Sequence, residues 1–252
     1  EIPSFYLDEH EVSVGQYLVF VQSSTGYASA SSWPEGSSPA PTRRQSLERD
    51  LASTPADLPV SDLSWEEAFA YARWVGKRLP SLVEWEFAVR GGTLYRPFAS
   101  ARKNPRMPTR EEVNYDPDGA GDGSPWPCTR GGDVTEDTGI YDLGGNVSEW
   151  TATPASFLDG AVTPLNLPAH ALENRALFLD PRRFGRSEKM QRYWVAGGSF
   201  QSARADLLTI DRRGRAWHGA AVGFRCAADV EAGTAVSTPS SAGRPRFRGL
   251  FE

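Results

Sequence analysis

The apolar positions change period twice near the start of the chain. In "FYLDEHEVSVGQYLVFVQSSTGY", Phe5-Tyr6-Leu7 predicts a short strand, and Val12, Tyr17, Leu18 and Phe20-Val21 predict a helix with one face on a core. Residues 27 to 58 are rich in Ser, Pro and Ala and read as a long loop. The segment "PVSDLSWEEAFAYARWVGKRLPSLVEWEFAVRGG" then carries two helix starts. Ser64 with Glu67, and Ser81 with Glu84, have the spacing at which two side chains satisfy each other's orphan N–H groups. Behind them, Trp65, Ala68, Phe69, Ala72 and Trp74-Val75, and Leu82, Trp85, Phe87 and Ala88-Val89, supply apolar faces. Gly76 and Gly91-Gly92 end the runs as left-handed caps, so helices are expected near 64–75 and 81–90.

The remainder is less periodic. Residues 93–140 contain "NYDPDGAGDGSPWP", dense in Asp and Gly, and "GIYDLGGNVSEWTAT" places a glycine turn before a short strand. Residues 155–190 are irregular and read as an insertion. "YWVAGGSF" and "GFRCAAD" read as two strands, with a polar loop over 201–222 between them. From Val230 the chain is rich in Ser, Pro and Gly, as in a linker or tail. This gives one domain over 1–229 and a tail over 230–252, with no internal repeat.

Composition changes this picture little. A chain of 252 residues buries a large core without needing a metal or disulfides. Eight Trp among 24 Gly and 19 Pro suggest a loop-rich fold pinned by aromatic anchors. The net charge of -5 and the short Arg43-Arg44, Arg182-Arg183 and Arg212-Arg213 pairs form no basic stripe, which argues against nucleic acid. No apolar run reaches membrane-spanning length. The chain opens on Glu1 without a leader pattern and reads as part of a longer protein, so its compartment, cytoplasm or cell surface, is not legible. Cys128 and Cys226 do not make a disulfide framework, and whether they pair is open. His10, His170 and His218 lack zinc spacing.

The ordered motifs "FYLDEHEVSVGQYLVF", "PVSDLSWEEAFAYARWVGKRLPSLVEWEFAVRGG", "GIYDLGGNVSEW", "VAGGSF" and "GFRCAAD" resemble the formylglycine-generating enzyme family, also called the sulfatase-modifying factor family, across residues 3 to 229. The resemblance implies an α+β fold of the C-type-lectin-like kind, with low regularity, short helices, small antiparallel sheets and bound calcium. Enzymes of the family hold copper on two cysteines just after the "GGS" strand and oxidise a substrate cysteine to formylglycine. Soft thiolates suit Cu(I), but Ser202 and Leu207 occupy the two places here, so no copper is expected. The resemblance also gives Cys226 a disulfide partner position, which is Ala72 in this chain. A sister branch binds iron through histidines of a separate helical domain that this chain lacks.

Calcium is the positive expectation from the resemblance. One ion would take Asp142, Glu149 and the carbonyls of Gly145 and Val147. A second would take Asn114, Asp122 and the carbonyls of Tyr115 and Ser124. Oxygen-dense, glycine-rich loops suit such hard cations, although a solvated acidic loop has the same composition. Asn146-Val147-Ser148 matches a glycosylation sequon but reads as a buried turn. The loop from Ser199 to Gly223, where the family binds substrate, offers Ser199, Ser202, Arg204, Asp206, Asp211, Arg212, Arg213, Trp217 and His218. It reads either as a solvated face laced with ion pairs or as a polar recognition surface.

Fold does not settle function. The chain reads as a noncatalytic, calcium-stabilised module of a bacterial protein that binds a protein, peptide or small molecule. Alternatives are an oxidoreductase with altered metal chemistry, a variable protein of a diversity-generating retroelement, and a structural assembly subunit.

Overall fold

The computed structural model describes residues 2–92, 108–116, 123–130, 139–154, 192–202, 210–214, 219–230 and 247–251. Strand β1 (Phe5–Asp8) leads into α1 (Val14–Gln22), whose N-cap Ser13 forms a reciprocal capping box with Gln16. Val12, expected inside this helix, precedes it. The two capped helices form as anticipated. α3 spans Trp65–Trp74 behind Ser64 and Glu67, and α4 spans Leu82–Val89 behind Ser81 and Glu84. Gly76, just past α3, sits at φ 74°, a left-handed conformation that costs a side-chain-bearing residue strain.

Four further expectations need correction. Residues 27–58 are not all loop: a 3-10 turn covers Ala30–Ser32, and α2 runs over Pro41–Ala52. That helix buries only Leu47 and Leu51, one turn apart, so its apolar stripe is too thin to show in the sequence. Residues 201–222 contain strand β4 (Ile210–Gly214). "GFRCAAD" is not one strand. It divides into β5 (Val222–Gly223) and β6 (Ala227–Asp229), which belong to different sheets. Residues 247–251, within the expected tail, form strand β7 (Phe247–Phe251) beside β1.

The sheets are small. One has the order β6-β1-β7, with both neighbours antiparallel to β1. The other has the order β4-β3-β2-β5, where β2 is Ser148–Pro154 and β3 is Arg192–Ala196. β5 pairs with β2 in parallel and the remaining pairs are antiparallel.

Tryptophans pin these pieces together. Trp65 of α3 stacks on Tyr193 of β3, with centroids 3.7 Å apart, and its indole N–H donates to the Thr151 carbonyl of β2. Trp150 of β2 donates back to Leu63 just before α3. Tyr17, Phe20, Tyr71 and Phe224 complete an aromatic cluster between α1, α3 and the C-terminal segment. Each indole buries a large apolar area while its N–H finds a carbonyl, so helix and sheet are joined through groups that would otherwise be costly to bury.

Candidate functional site

The "YDLGGN" turn is held in conformations that few sequences tolerate. Asp142 and Asn146 have φ of 59° and 66°, in the left-handed region where Asp and Asn are the side-chain-bearing residues best accommodated. Gly145 lies so close to its neighbours that a Cβ there would meet the Asn114 carbonyl and Val113 Cγ1, each at 2.5 Å. The turn thus presses its backbone directly onto residues 113–114.

Asn146 is the hub of this junction. Its N–H donates to the Asn114 carbonyl at 2.9 Å, and its carbonyl accepts from Phe200 N–H at 2.8 Å. Its side-chain oxygen accepts from Trp126 N–H and from the Asn114 amide, and its amide donates to Glu11 Oε2 at 2.8 Å. One fully buried residue therefore joins the β1–α1 connection and the 114 and 126 segments through its side chain, and the "GGSF" turn through its backbone carbonyl. With its amide spent on Glu11, Asn146 is the buried turn residue that the sequence suggested.

Below the hub lies a buried ionic knot that the sequence reading missed. Arg225 of "GFR" is fully buried. Its Nε donates to both oxygens of Glu149, at 2.8 and 2.9 Å, and Nη2 donates to Glu149 Oε1 at 2.7 Å. Nη1 reaches the Asp8 carbonyl at 3.1 Å, and Nη2 also reaches the Tyr141 carbonyl at 2.8 Å. The Trp85 indole donates to Glu149 Oε2 at 3.0 Å. Burial pulls the Arg225 pKa down, but Glu149, Glu11 and Asp142 outweigh it and hold the guanidinium above its usual value. Burial pushes Glu11 well above the carboxylate range, and Asp142 adds to the push. Three buried carboxylates thus face one guanidinium.

This geometry bears on calcium. In the first expected set, the structure brings Asp142, Gly145, Val147 and Glu149 into one turn and strand. However, Arg225 and Trp85 place two donors on each oxygen of Glu149. These are three N–H groups, with Arg225 Nε–H shared between the two oxygens, so about one of the four acceptor positions of Glu149 remains and an ion there competes with Arg225 for the same oxygens. In the second set, Asn114 is buried and its amide lies 3.1 Å from the Ser124 carbonyl, with Tyr115 adjacent in sequence. The same amide donates to Asn146 Oδ1, so an ion held by Asn114 Oδ1 and the Ser124 carbonyl requires that hydrogen bond to be given up as the amide turns over. Asp122 lies outside the described residues.

The expected ligand loop is described only in part. Ser199 and Ser202 are together: Ser199 N–H donates to Ser202 Oγ at 2.9 Å, and their hydroxyls are 3.2 Å apart. Ser202 N–H returns to the Ser199 carbonyl, and the Ser202 carbonyl accepts from Asp116 N–H, both at 2.9 Å. The hydroxyl at the expected cysteine position is therefore spent inside a tight turn. Asp211, Arg212 and Arg213 lie on β4, paired with Val195, Trp194 and Tyr193 of β3. Arg204, Asp206, Leu207, Trp217 and His218 lie outside the described residues.

Both cysteines are buried free thiols and do not pair with each other. Burial raises both thiol pKa values, with Glu11 and Asp142 adding to the effect at Cys128 and Asp8 at Cys226. Neither is a reactive thiolate. Beside Cys226, Lys77 and Asp8 form an almost fully buried ion pair at 2.6 Å.

The model of the sulfatase-modifying factor enzyme 1-like domain matches residues 1–230. The serine/threonine-protein kinase Pkn1 of Chlamydia trachomatis is 31% identical over 235 residues, which are 91% of this chain and 34% of that protein. The inactive C-alpha-formylglycine-generating enzyme 2 of Bos taurus is 32% identical over 130 residues, 48% of this chain and 38% of its own length. The formylglycine-generating enzyme of Thermomonospora curvata is 32% identical over 181 residues, 68% of this chain and 55% of the enzyme. The chain thus spans from about a third to about half the length of these relatives. Among solved structures, CarF superposes with a TM-score of 0.59 at 18% identity, covering 90% of this chain and 87% of CarF.

Proposed function

We propose, from the premise that the chain belongs to the sulfatase-modifying factor family, that it is a noncatalytic recognition module and does not generate formylglycine. One observation carries the reading. Ser202 stands where the family resemblance puts a copper-binding thiolate, and its hydroxyl already closes a turn on Ser199. A hydroxyl is a hard ligand with no affinity for Cu(I), and Leu207 offers no donor atom. The relative named an inactive enzyme supports a scaffold kept without that chemistry, and the match along a third of a kinase supports a module carried within a longer protein.

On this reading the recognition surface is the loop from Ser199 to Gly223. Arg204, Asp206, Asp211, Arg213, Trp217 and His218 supply polar and aromatic contacts for a protein, peptide or small-molecule ligand, while Ser199 and Ser202, expected among them, hold the turn at the start of the loop. A structural calcium belongs at Asn114, Tyr115, Asp122 and Ser124 rather than at Glu149, whose oxygens serve Arg225. The test is metal analysis of the purified chain, followed by Cu(I) competition titration against a chromogenic chelator. About one equivalent of calcium and no copper withdrawn from the chelator is the expected result. A stoichiometric, tight Cu(I) site would overturn the reading.

A further inference from the structure

The C-terminal strand stands apart from the rest of the fold. The family match ends at residue 230, yet β7 (Phe247–Phe251) lies beyond it and pairs with β1 inside the matched domain. β6 covers the opposite edge of β1. Among the described residues, no strand within 1–230 pairs with the edge that β7 takes.

The backbone of β1 shows which groups each neighbour holds. Asp8 N–H donates to the Cys226 carbonyl, in register with β6, and the Asp8 carbonyl accepts from Arg225. Successive residues of a strand turn their N–H and C=O groups to opposite edges. Asp8 and Tyr6 thus face β6, while Phe5 and Leu7 face β7. Both Phe5 and Leu7 are fully buried, so their backbone polar groups need partners on that edge. β7 supplies them unevenly. Phe251 opposes Phe5 and Leu250 opposes Tyr6, but Arg248 and Gly249 together face Leu7, which makes a bulge. The pairing of β1 with β6 has no such irregularity.

β7 is also joined to the domain by a long tether. Residues 231–246, rich in Ser, Pro and Gly, separate it from the matched domain. Fully extended they would reach about 50 Å, whereas passing from one edge of β1 to the other takes only about 10 Å. A tether of this composition keeps its end near the seat at an effective concentration on the order of millimolar, so the strand stays seated without tight intrinsic affinity.

We propose that this edge of β1 is a strand-addition site for extended peptides, and that residues 247–251 are its displaceable occupant. The occupant sets the ligand class: apolar residues on either side of an Arg-Gly pair, attached through backbone groups. None of these residues belongs to the Ser199–Gly223 loop, so the inference does not rest on the function proposed above.

Two measurements on the full chain test it. In native-state hydrogen exchange of the unmutated chain, the Phe5 and Leu7 amides should exchange at least about tenfold faster than those of Tyr6 and Asp8, because β7 opens while β6 stays. Equal protection along β1 would mean that β7 does not detach, and would overturn the proposal. In the second, a fluorescent peptide of residues 244–252 is titrated into the unmutated chain and into Phe251→Pro, which removes the N–H that faces Phe5. The variant should bind at least about tenfold more tightly than the unmutated chain, whose tethered strand competes. Methylating the peptide's Phe251 nitrogen should abolish binding. Methylating its Leu250 nitrogen, which faces away from β1, should leave affinity within about threefold. A folded variant that binds no peptide, equal binding by the two chains, or equal affinity of the two methylated peptides would each overturn the proposal. Loss of folding in Phe251→Pro would do so too, since the core does not need a displaceable strand.

Discussion

Arg225 and Glu149 lie 76 positions apart in sequence, yet Nε and Nη2 of the one grip both oxygens of the other at 2.7 to 2.9 Å in a fully buried setting. The same guanidinium binds the carbonyls of Asp8 and Tyr141. One side chain thus ties β2 to β1, to the turn before β2 and to the segment between β5 and β6. The two sheets share no strand, so this knot is a principal link between them.

Removing one partner of the knot is therefore severe and unequal. Arg225→Leu leaves Glu149, Glu11 and Asp142 buried together without their shared cation. It should cost about 3–5 kcal/mol, the usual penalty for stranding a buried charge. Glu149→Gln leaves Arg225 facing Asp142 and Glu11, so its cost should be smaller. Urea unfolding of both variants checks the order, and a larger loss for Glu149→Gln would contradict this account.

The histidine in the β1–α1 connection should give the stability curve a recognisable acid dependence. His10 has a folded pKa of about 4 against an unfolded value near 6.5, so the unfolded chain takes up its proton first. Its contribution is fully present above pH 6.5 and is lost as the pH falls from about 6.5 to 4. The buried carboxylates Asp8 and Glu11 have raised folded values and act in the opposite sense, so the test is a difference. The stability of His10→Gln relative to the unmutated chain should rise as the pH falls through that window. A constant difference from pH 7 to 4 would contradict the assignment.

Calcium should stabilise through Asn114 and not through Glu149. An ion that binds only the folded chain adds about 2.7 kcal/mol at a hundredfold excess over its dissociation constant. Chelation should lower the melting temperature of the unmutated chain and leave that of Asn114→Leu unchanged. If Asn114→Leu keeps the full calcium response, the site lies elsewhere.

Much of the scaffold was legible because it rests on local chemistry. Ser64 with Glu67 and Ser81 with Glu84 announce their helices through side chains three residues apart, and the structure makes both reciprocal capping boxes. α2 was not legible, since Leu47 and Leu51 are its whole buried stripe. Nor was the division of "GFRCAAD" between two sheets, which depends on where Arg225 is anchored. At the site, Asp142 and Asn146 were visible as residues flanking a glycine turn. The partners Glu11 and Arg225 were not, because their contacts span 135 and 76 positions and follow no period. Ser202 was the clearest case of the opposite kind, because a single residue type excludes a thiolate whatever the fold around it.

That exclusion is the central claim, and one assay reaches it directly. The purified chain is loaded with Cu(I) and incubated in air with a sulfatase-type peptide containing the target cysteine, and any aldehyde is trapped with hydroxylamine and read by mass spectrometry. With a hydroxyl at Ser202 spent on Ser199 and an isobutyl group at Leu207, the peptide should emerge with its cysteine unconverted, as in a control lacking protein. Copper-dependent accumulation of the trapped aldehyde above that control would contradict the noncatalytic reading.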